Sequence, residues 1–103
     1  MNVIWTDDAT EMAESFLEVS KYVYGETAYQ KNLNRIRQIT NRLERMPRTG
    51  AIEEALADEE GEYRFFLINS RYKLVYRILT EDTVAVFAVW DMKMNPDKLR
   101  YFL

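Results

Sequence analysis

The chain has 103 residues, 48% of them hydrophobic, and a formal net charge of −3, which fits one domain over residues 1–103 with a single modest core. It has no cysteine and no histidine, so we expect no disulfide, no metal or cofactor site and no imidazole catalysis. The N-terminus lacks a basic segment followed by an apolar one, and no run approaches the roughly 18 apolar residues of a membrane span, so we predict a cytoplasmic protein without membrane contact.

The first predicted elements are a short strand and a helix. An apolar run at residues 3–5 predicts the strand. Beyond it, apolar residues recur at three- and four-residue steps, which predicts a helix over residues 7–24. Asp8 and Glu11 resemble a capping box near its start, and Gly25 supplies the stop.

A second helix follows after a very short connection. Thr27 and Gln30 form a capping-box pattern, and an apolar line continues to Met46, so we predict a helix over residues 28–46 that ends before Pro47. Two helices joined by so few residues should lie antiparallel.

The second helix lies in a basic part of the chain. Residues 29–50 carry six basic side chains against Glu44, whereas residues 51–62 carry six acids and no base. A basic helix face could attract phosphate, but the acidic total weakens any long-range pull on nucleic acid. We therefore interpret this stretch as a solvated helix face, which argues against direct nucleic-acid binding.

Three strand-like runs, EYRFFLI, YKLVYRIL and TVAVFAVW, follow a possible helical turn at 51–56 and an exposed loop at 58–61. The second run alternates between an apolar face, which the helices should cover, and a basic face. The apolar face comprises Tyr72, Leu74, Tyr76 and Ile78, and the basic face comprises Lys73, Val75 and Arg77.

The third run is apolar on both faces. Strict alternation places Val84, Val86, Ala88 and Trp90 on one side and Ala85, Phe87 and Val89 on the other. Such a strand is usually central and covered on both sides, so the tail at 96–103 or a partner should lie over the face opposite the helices. Asn95 and Pro96 predict a short tail helix.

These elements predict an α+β fold in the order β-α-α-β-β-β. An N-terminal strand precedes an antiparallel helix hairpin, which packs on one face of a small, mainly antiparallel sheet, and a short tail helix ends the chain. This order resembles the ParE/RelE family of bacterial type II toxins. The likeness is carried by VIWT, MPRTG, the YR…YKLVYRI strand pair and VFAVWDMKMNP, from Val3 to about Leu99.

The resemblance implies a toxin that inhibits growth, contributes to plasmid stabilization and is neutralised by a cognate antitoxin. ParE-like members inhibit DNA gyrase, whereas RelE-like members are endoribonucleases that cut messenger RNA in the ribosome. A non-toxic family member that acts as a binding partner is a third reading. The cellular target is therefore expected to be either gyrase or the ribosome.

A RelE-like nuclease needs a group that activates the 2′-hydroxyl, cations that stabilise the pentacovalent phosphate and an acid for the leaving oxygen. The resemblance implies as its candidate catalytic residues Arg71, Lys73, Arg77, Lys93 and Tyr101. This set lacks an evident general base, and DMKMNP offers only Lys93 where an active relative would place an arginine and an aromatic residue. We therefore favour a non-nucleolytic, ParE-like toxin.

The antitoxin is expected to bind near Trp90. Because the third strand is apolar on both faces and the chain ends in apolar residues, we predict an apolar groove that the tail fills only in part. The residues predicted to bind the partner are Arg77, Trp90, Lys93, Leu99, Tyr101 and Phe102.

Overall fold

The computed structural model describes all residues from 1 to 103. The helices and strands, in chain order, are β1 (Asn2–Trp5), α1 (Asp7–Tyr24), α2 (Glu26–Arg45), β2 (Ala51–Ile52), β3 (Glu62–Leu67), β4 (Tyr72–Ile78) and β5 (Thr83–Asp91). Short 3-10 helices span Pro47–Thr49, Glu54–Leu56 and Pro96–Phe102, and we call the last of these the tail helix. None of the helices contains an apolar stretch of the length that a bilayer span requires.

The five strands form one sheet in the order β1-β5-β4-β3-β2. β1 runs parallel to β5, and every other neighbouring pair is antiparallel. The two helices pack on one face of this sheet, as the hydrophobic periodicity predicts. The predicted fold class is therefore confirmed, with the tail element present as a 3-10 helix.

The helices begin at residues other than those in the predicted capping boxes. The Thr6 hydroxyl accepts a backbone N–H of the first turn of α1 at 3.1 Å, so Thr6 and not Asp8 is the N-cap. Gly25 has a φ of +93°, ends α1 and directly precedes Glu26, which begins α2 without a side-chain cap. The capping box predicted at Thr27 is therefore wrong, because glycine adopts a left-handed φ easily and one residue suffices to connect the helices.

The first core lies between the helix hairpin and the sheet. Its helix residues are Ala9, Ala13, Phe16, Ile36, Ile39 and Leu43. The sheet side includes Leu74, Tyr76 and Ile78, with Tyr72 packed at the edge. The predicted apolar face of β4 is therefore confirmed.

A bulge in β5 changes which of its residues face the helices. The register between β4 and β5 shifts so that Phe87 has no partner residue on β4. This extra residue turns Ala88 and Trp90 away from the helices and Val89 towards them. The alternation predicted for the second half of this strand is therefore wrong.

The tail helix covers the face opposite the helix hairpin. Leu99 is fully buried there, and the Phe102 ring meets the Trp90 ring edge-on, with 5.9 Å between the ring centroids. The second core formed in this way comprises Leu56, Tyr63, Val75, Phe87, Ala88, Trp90 and Leu99. The domain thus has two cores and not the single one expected from its length, because both faces of the sheet are covered. The chain's own tail helix therefore covers the second apolar face of β5, as one of the two predicted alternatives.

An arginine fixes the tail helix to the acidic segment before β3. The Arg100 guanidinium donates to the carboxylates of Asp58 and Glu59 and to the Ala55 carbonyl, at distances between 3.1 and 3.3 Å. The segment itself differs from the turn predicted over residues 51–56. Only residues 54–56 are helical, because Ala51–Ile52 pairs with β3.

Candidate functional site

An open groove runs between α1 and the adjacent ends of β4 and β5. It consists of a cavity of about 450 Å³ beside Trp90 and one of about 630 Å³ beside Tyr24. Phe16, Val19 and Tyr72 line both cavities. The two cavities therefore form one continuous surface, which we call the α1 groove.

The α1 groove exists because β1 is shorter than β5. β1 pairs only with residues 83–86, and the chain then enters α1. Residues 87–91 of β5 consequently have no neighbouring strand on that side, and α1 lies beside them instead. Apolar side chains stay in contact with solvent along this gap, with 53% of Val19, 58% of Val23 and 47% of Met94 exposed. The α1 groove is therefore a candidate interaction surface.

Charged residues lie along the rim of the α1 groove. The Arg71 guanidinium donates to both Asp91 carboxylate oxygens, at 3.0 and 2.7 Å. These hydrogen bonds hold the pKa of the Asp91 carboxyl below its usual value. Lys93 lines the larger cavity, is exposed and makes no ion pair within the chain. Its ammonium group is therefore available to a carboxylate of a partner.

A chain of polar side chains positions this rim. The Asn32 amide donates to the Ser20 hydroxyl at 3.1 Å, and the Asn69 amide donates to the Asn32 carbonyl oxygen at 3.2 Å. The Asn69 side-chain oxygen then accepts the backbone N–H groups of Arg71 and Tyr72, both at 2.8 Å. The turn between β3 and β4 is thus tied to both helices, which fixes the position of Arg71.

On the face of the sheet that points away from the helix hairpin, Lys73 lies in a buried ion pair. Its ammonium group donates to both Glu53 carboxylate oxygens at 2.7 Å, and the two side chains are only 12% and 3% exposed. The ammonium also lies 4.7 Å from the centroid of the Phe65 ring. A carboxylate thus compensates the Lys73 charge inside the protein.

The remaining candidate catalytic residues are distributed over different parts of the molecule. The Arg77 guanidinium lies 5.4 Å from the centroid of the Tyr63 ring, and its Nε is buried without a hydrogen-bond partner. Arg71 and Lys93 both line the larger cavity of the α1 groove. Tyr101 lies on the tail helix with 80% of its surface exposed.

The residues predicted to bind a partner divide into two groups of three. Those that line the α1 groove are Trp90, Lys93 and Phe102. Those that lie outside it are Arg77, Leu99 and Tyr101. Leu99 is fully buried and Trp90 is only 4% exposed, so neither side chain offers a partner more than a small surface. The indole N–H of Trp90 is buried without a hydrogen-bond partner.

Three charged residues that shape these surfaces are missing from the sequence-based prediction, namely Glu53, Asp91 and Arg100. The six acids at 51–62 were a signal for two of them, because any of these carboxylates that the fold buries must be paired with a cation. Which lysine or arginine supplies the charge depends on contacts between residues far apart in sequence. Asp91 directly follows the apolar run of the last strand and gave no comparable signal.

The chain is similar to known toxins in sequence and in structure. The profile of the family described as "ParE toxin of type II toxin-antitoxin system, parDE" matches residues 3–96. No curated protein matches the chain.

Solved structures of such toxins superpose on most of the chain. The chromosomal ParDE TA system from P. aeruginosa has a TM-score of 0.67 and 14% identity, covering 88% of this chain and 95% of that chain. The YoeB/ParE toxin from Agrobacterium tumefaciens has a TM-score of 0.64 and 18% identity, covering 88% and 98%. The YoeB dimer from Staphylococcus aureus has a TM-score of 0.62 and 18% identity, covering 86% and 93%. At these identities the structural likeness shows a shared fold.

Proposed function

Because the chain belongs to the ParE toxin family of type II toxin–antitoxin systems, we propose that it is a non-nucleolytic toxin of the ParE type. It acts in the cytoplasm on an essential protein such as DNA gyrase, and a cognate antitoxin neutralises it by docking in the α1 groove. The observation that supports this choice over a RelE-like endoribonuclease is the buried pairing of Lys73 with Glu53.

A nuclease of the RelE type would need free cations on the open face of its sheet, aimed at the phosphate that becomes pentacovalent. Here the Lys73 ammonium already faces two carboxylate oxygens, and the Glu53 charge would repel a phosphodiester at the same place. Leu99 of the tail helix is also buried against this face. The two features together disfavour RNA cleavage on the sheet.

The α1 groove supports an antitoxin as its occupant. A segment with apolar residues on one side would bury them against the exposed side chains of Val19, Val23 and Met94, while its acids pair with the free ammonium of Lys93. This is the way an amphipathic segment enters an apolar groove. An acidic side chain of the antitoxin would pair with Lys93, the cation of the rim that has no ion pair within the chain, whereas a neutral segment would leave Lys93 unpaired.

The proposed function is tested by inducing the chain alone in a bacterial host. We expect growth arrest, loss of negative supercoiling in a reporter plasmid and rescue by the cognate antitoxin. Purified protein should inhibit gyrase-dependent supercoiling, and messenger RNA ends mapped by primer extension should match those of uninduced cells.

The competing readings predict different results in the same experiment. Codon-phased cuts in messenger RNA, lost in Arg77→Ala and Lys93→Ala, would establish the RelE-like endoribonuclease instead. Normal growth at a high level of folded protein would identify a non-toxic family member that serves as a binding partner.

A further inference from the structure

We propose that α2 carries a binding site for a nucleotide, in a cleft between this helix and the open edge of β3. The cleft has a volume of about 350 Å³ and is lined by Arg35, Arg42 and Arg45 of α2 and by Phe66 of β3. No acidic residue lines it. It shares no lining residue with the α1 groove, so this site is independent of the proposed toxin function.

Two of the three arginines are oriented by hydrogen bonds that leave most of their donors free. The Arg35 Nε donates to the Leu67 carbonyl at 2.9 Å, and the Arg42 Nε donates to the Thr49 hydroxyl at 3.1 Å. Neither of them, nor Arg45, makes an ion pair within the chain. Because a guanidinium group has five N–H donors, the terminal nitrogens can form paired hydrogen bonds to a phosphate.

The aromatic floor of the cleft favours a nucleotide over an acidic peptide. The Phe66 ring lies nearly parallel to the Tyr76 ring, at an angle of 12° and a centroid distance of 5.9 Å. β2 pairs only with Arg64 and Phe65, so the strand edge beside Phe66 is open. A base can stack on such a ring, and Gln38 places an amide in the same cleft. An acidic side chain would use the arginines and leave the ring unused.

The net charge of −3 does not oppose this site. It reduces the long-range attraction of a nucleic acid, which is screened beyond about 8 Å at physiological ionic strength. The contacts in the cleft are direct and lie in the basic stretch at 29–50, which carries six basic side chains against one acid. The ligand class that fits this geometry is a nucleoside phosphate, either free or at an accessible position of a single strand.

The test is calorimetric titration of the full chain with adenosine 5′-monophosphate, inorganic phosphate and adenosine. We expect the monophosphate to bind more tightly than phosphate, and adenosine to bind far more weakly than either. Arg45→Gln should weaken monophosphate binding about tenfold, the loss expected for one charge-assisted hydrogen bond. The matched control is Arg37→Gln, since Arg37 is also an exposed, unpaired arginine of α2 but lies outside the cleft, and this variant should bind like the wild type.

Two further ligands test whether the site takes a free nucleotide or a single strand, and whether an acidic peptide binds there instead. A hexamer of adenylate that binds more tightly than the monophosphate, with a steep salt dependence, would indicate a single strand, whereas equal affinity would indicate a free nucleotide. The proposal is overturned if the monophosphate does not bind or if both arginine variants weaken it equally. It is also overturned if a glutamate hexapeptide binds more tightly and Phe66→Leu leaves the monophosphate affinity unchanged in a folded protein.

Discussion

Lys73 and Glu53 form a buried ion pair in which each side chain neutralises the charge of the other. Removing only the lysine leaves a carboxylate with 3% exposure and no cation, a change that typically costs about 3–5 kcal/mol. We expect Lys73→Met to lower the free energy of unfolding by this amount, measured by urea denaturation at neutral pH. Glu53→Gln combined with Lys73→Met should recover most of the loss.

The control for this pair is Lys98→Met, because Lys98 is exposed and makes no ion pair. It should unfold like the wild type. Wild-type stability of the Lys73→Met single variant would show that the ion pair is not formed in solution, and the lysine would then be free to act on a phosphate.

Tyr76 makes the free energy of unfolding depend on pH in the alkaline range. Its hydroxyl donates to the Pro47 carbonyl and accepts the Gly50 N–H at 3.2 Å, an approach that a Cβ on Gly50 would block. Burial raises the pKa of Tyr76 to about 12, so the folded chain keeps a proton that the unfolded chain loses near pH 10. This contribution to stability is complete below about pH 10 and is lost as the pH rises towards about 12, by up to roughly 3 kcal/mol.

Urea midpoints measured between about pH 8 and pH 12 test this linkage. Tyr76→Phe should be less stable than the wild type at the lower pH, because Gly50 loses its acceptor, but its stability should fall less steeply above pH 10. Tyr101→Phe is the control, since Tyr101 is 80% exposed and should keep the wild-type slope. Parallel slopes for the wild type and Tyr76→Phe would remove Tyr76 as the cause.

At the scale of elements, α1 carries the wall of the proposed antitoxin site. Val19 is 53% exposed and lines both cavities of the α1 groove, so Val19→Asp places a charge at the interface with little disturbance of the core. We expect this variant to weaken the antitoxin complex at least about tenfold by calorimetry. Trp90→Ala is a less direct test of the groove, because Trp90 is only 4% exposed and the change opens the second core.

The control for the groove is Ile52→Asp, because Ile52 is 46% exposed on β2 and does not line the groove. It should bind the antitoxin like the wild type. If Ile52→Asp weakened the complex and Val19→Asp did not, the antitoxin would dock on the β2 edge of the sheet.

At the scale of the whole molecule, two cores lie on opposite faces of one sheet and should unfold together. Leu43 belongs to the first core and Leu99 to the second, and both are fully buried. Leu43→Ala and Leu99→Ala should each lower the free energy of unfolding by about 2–5 kcal/mol, as is typical of buried large-to-small changes. Thermal unfolding should remain a single transition in both variants.

An independent loss of the tail helix would give a different result. Leu99→Ala would then cost little in the main transition, and the tail would become sensitive to proteases while α1 and α2 stay protected. Hydrogen exchange of the Lys98 amide, which donates to the Asn95 carbonyl at 3.1 Å at the start of the tail helix, distinguishes the two cases.

The sequence by itself determined most of the elements, their order along the chain and the packing of the helix hairpin on one face of the sheet. The apolar stripe of α1, the break at Gly25 and the alternation of β4 all follow from steps of two to four residues, and each is present in the structure. Such patterns depend on local backbone geometry, so they can be recognised in the sequence without knowing the fold. Lys93 was predicted to bind the partner; it is exposed at the rim of the α1 groove, and its contact with a partner stays a prediction.

Only the tertiary structure decided the contacts that shape the sites. The bulge at Phe87 moves Trp90 to the second core. Neither this bulge nor the pairing of Lys73 with Glu53 is indicated by the residues next to it in the sequence. The α1 groove arises because β1 ends opposite the middle of β5, which depends on the register between residues about 80 positions apart. Strand register and ion-pair choice are settled by packing across the whole domain, and therefore lie beyond what a local pattern can specify.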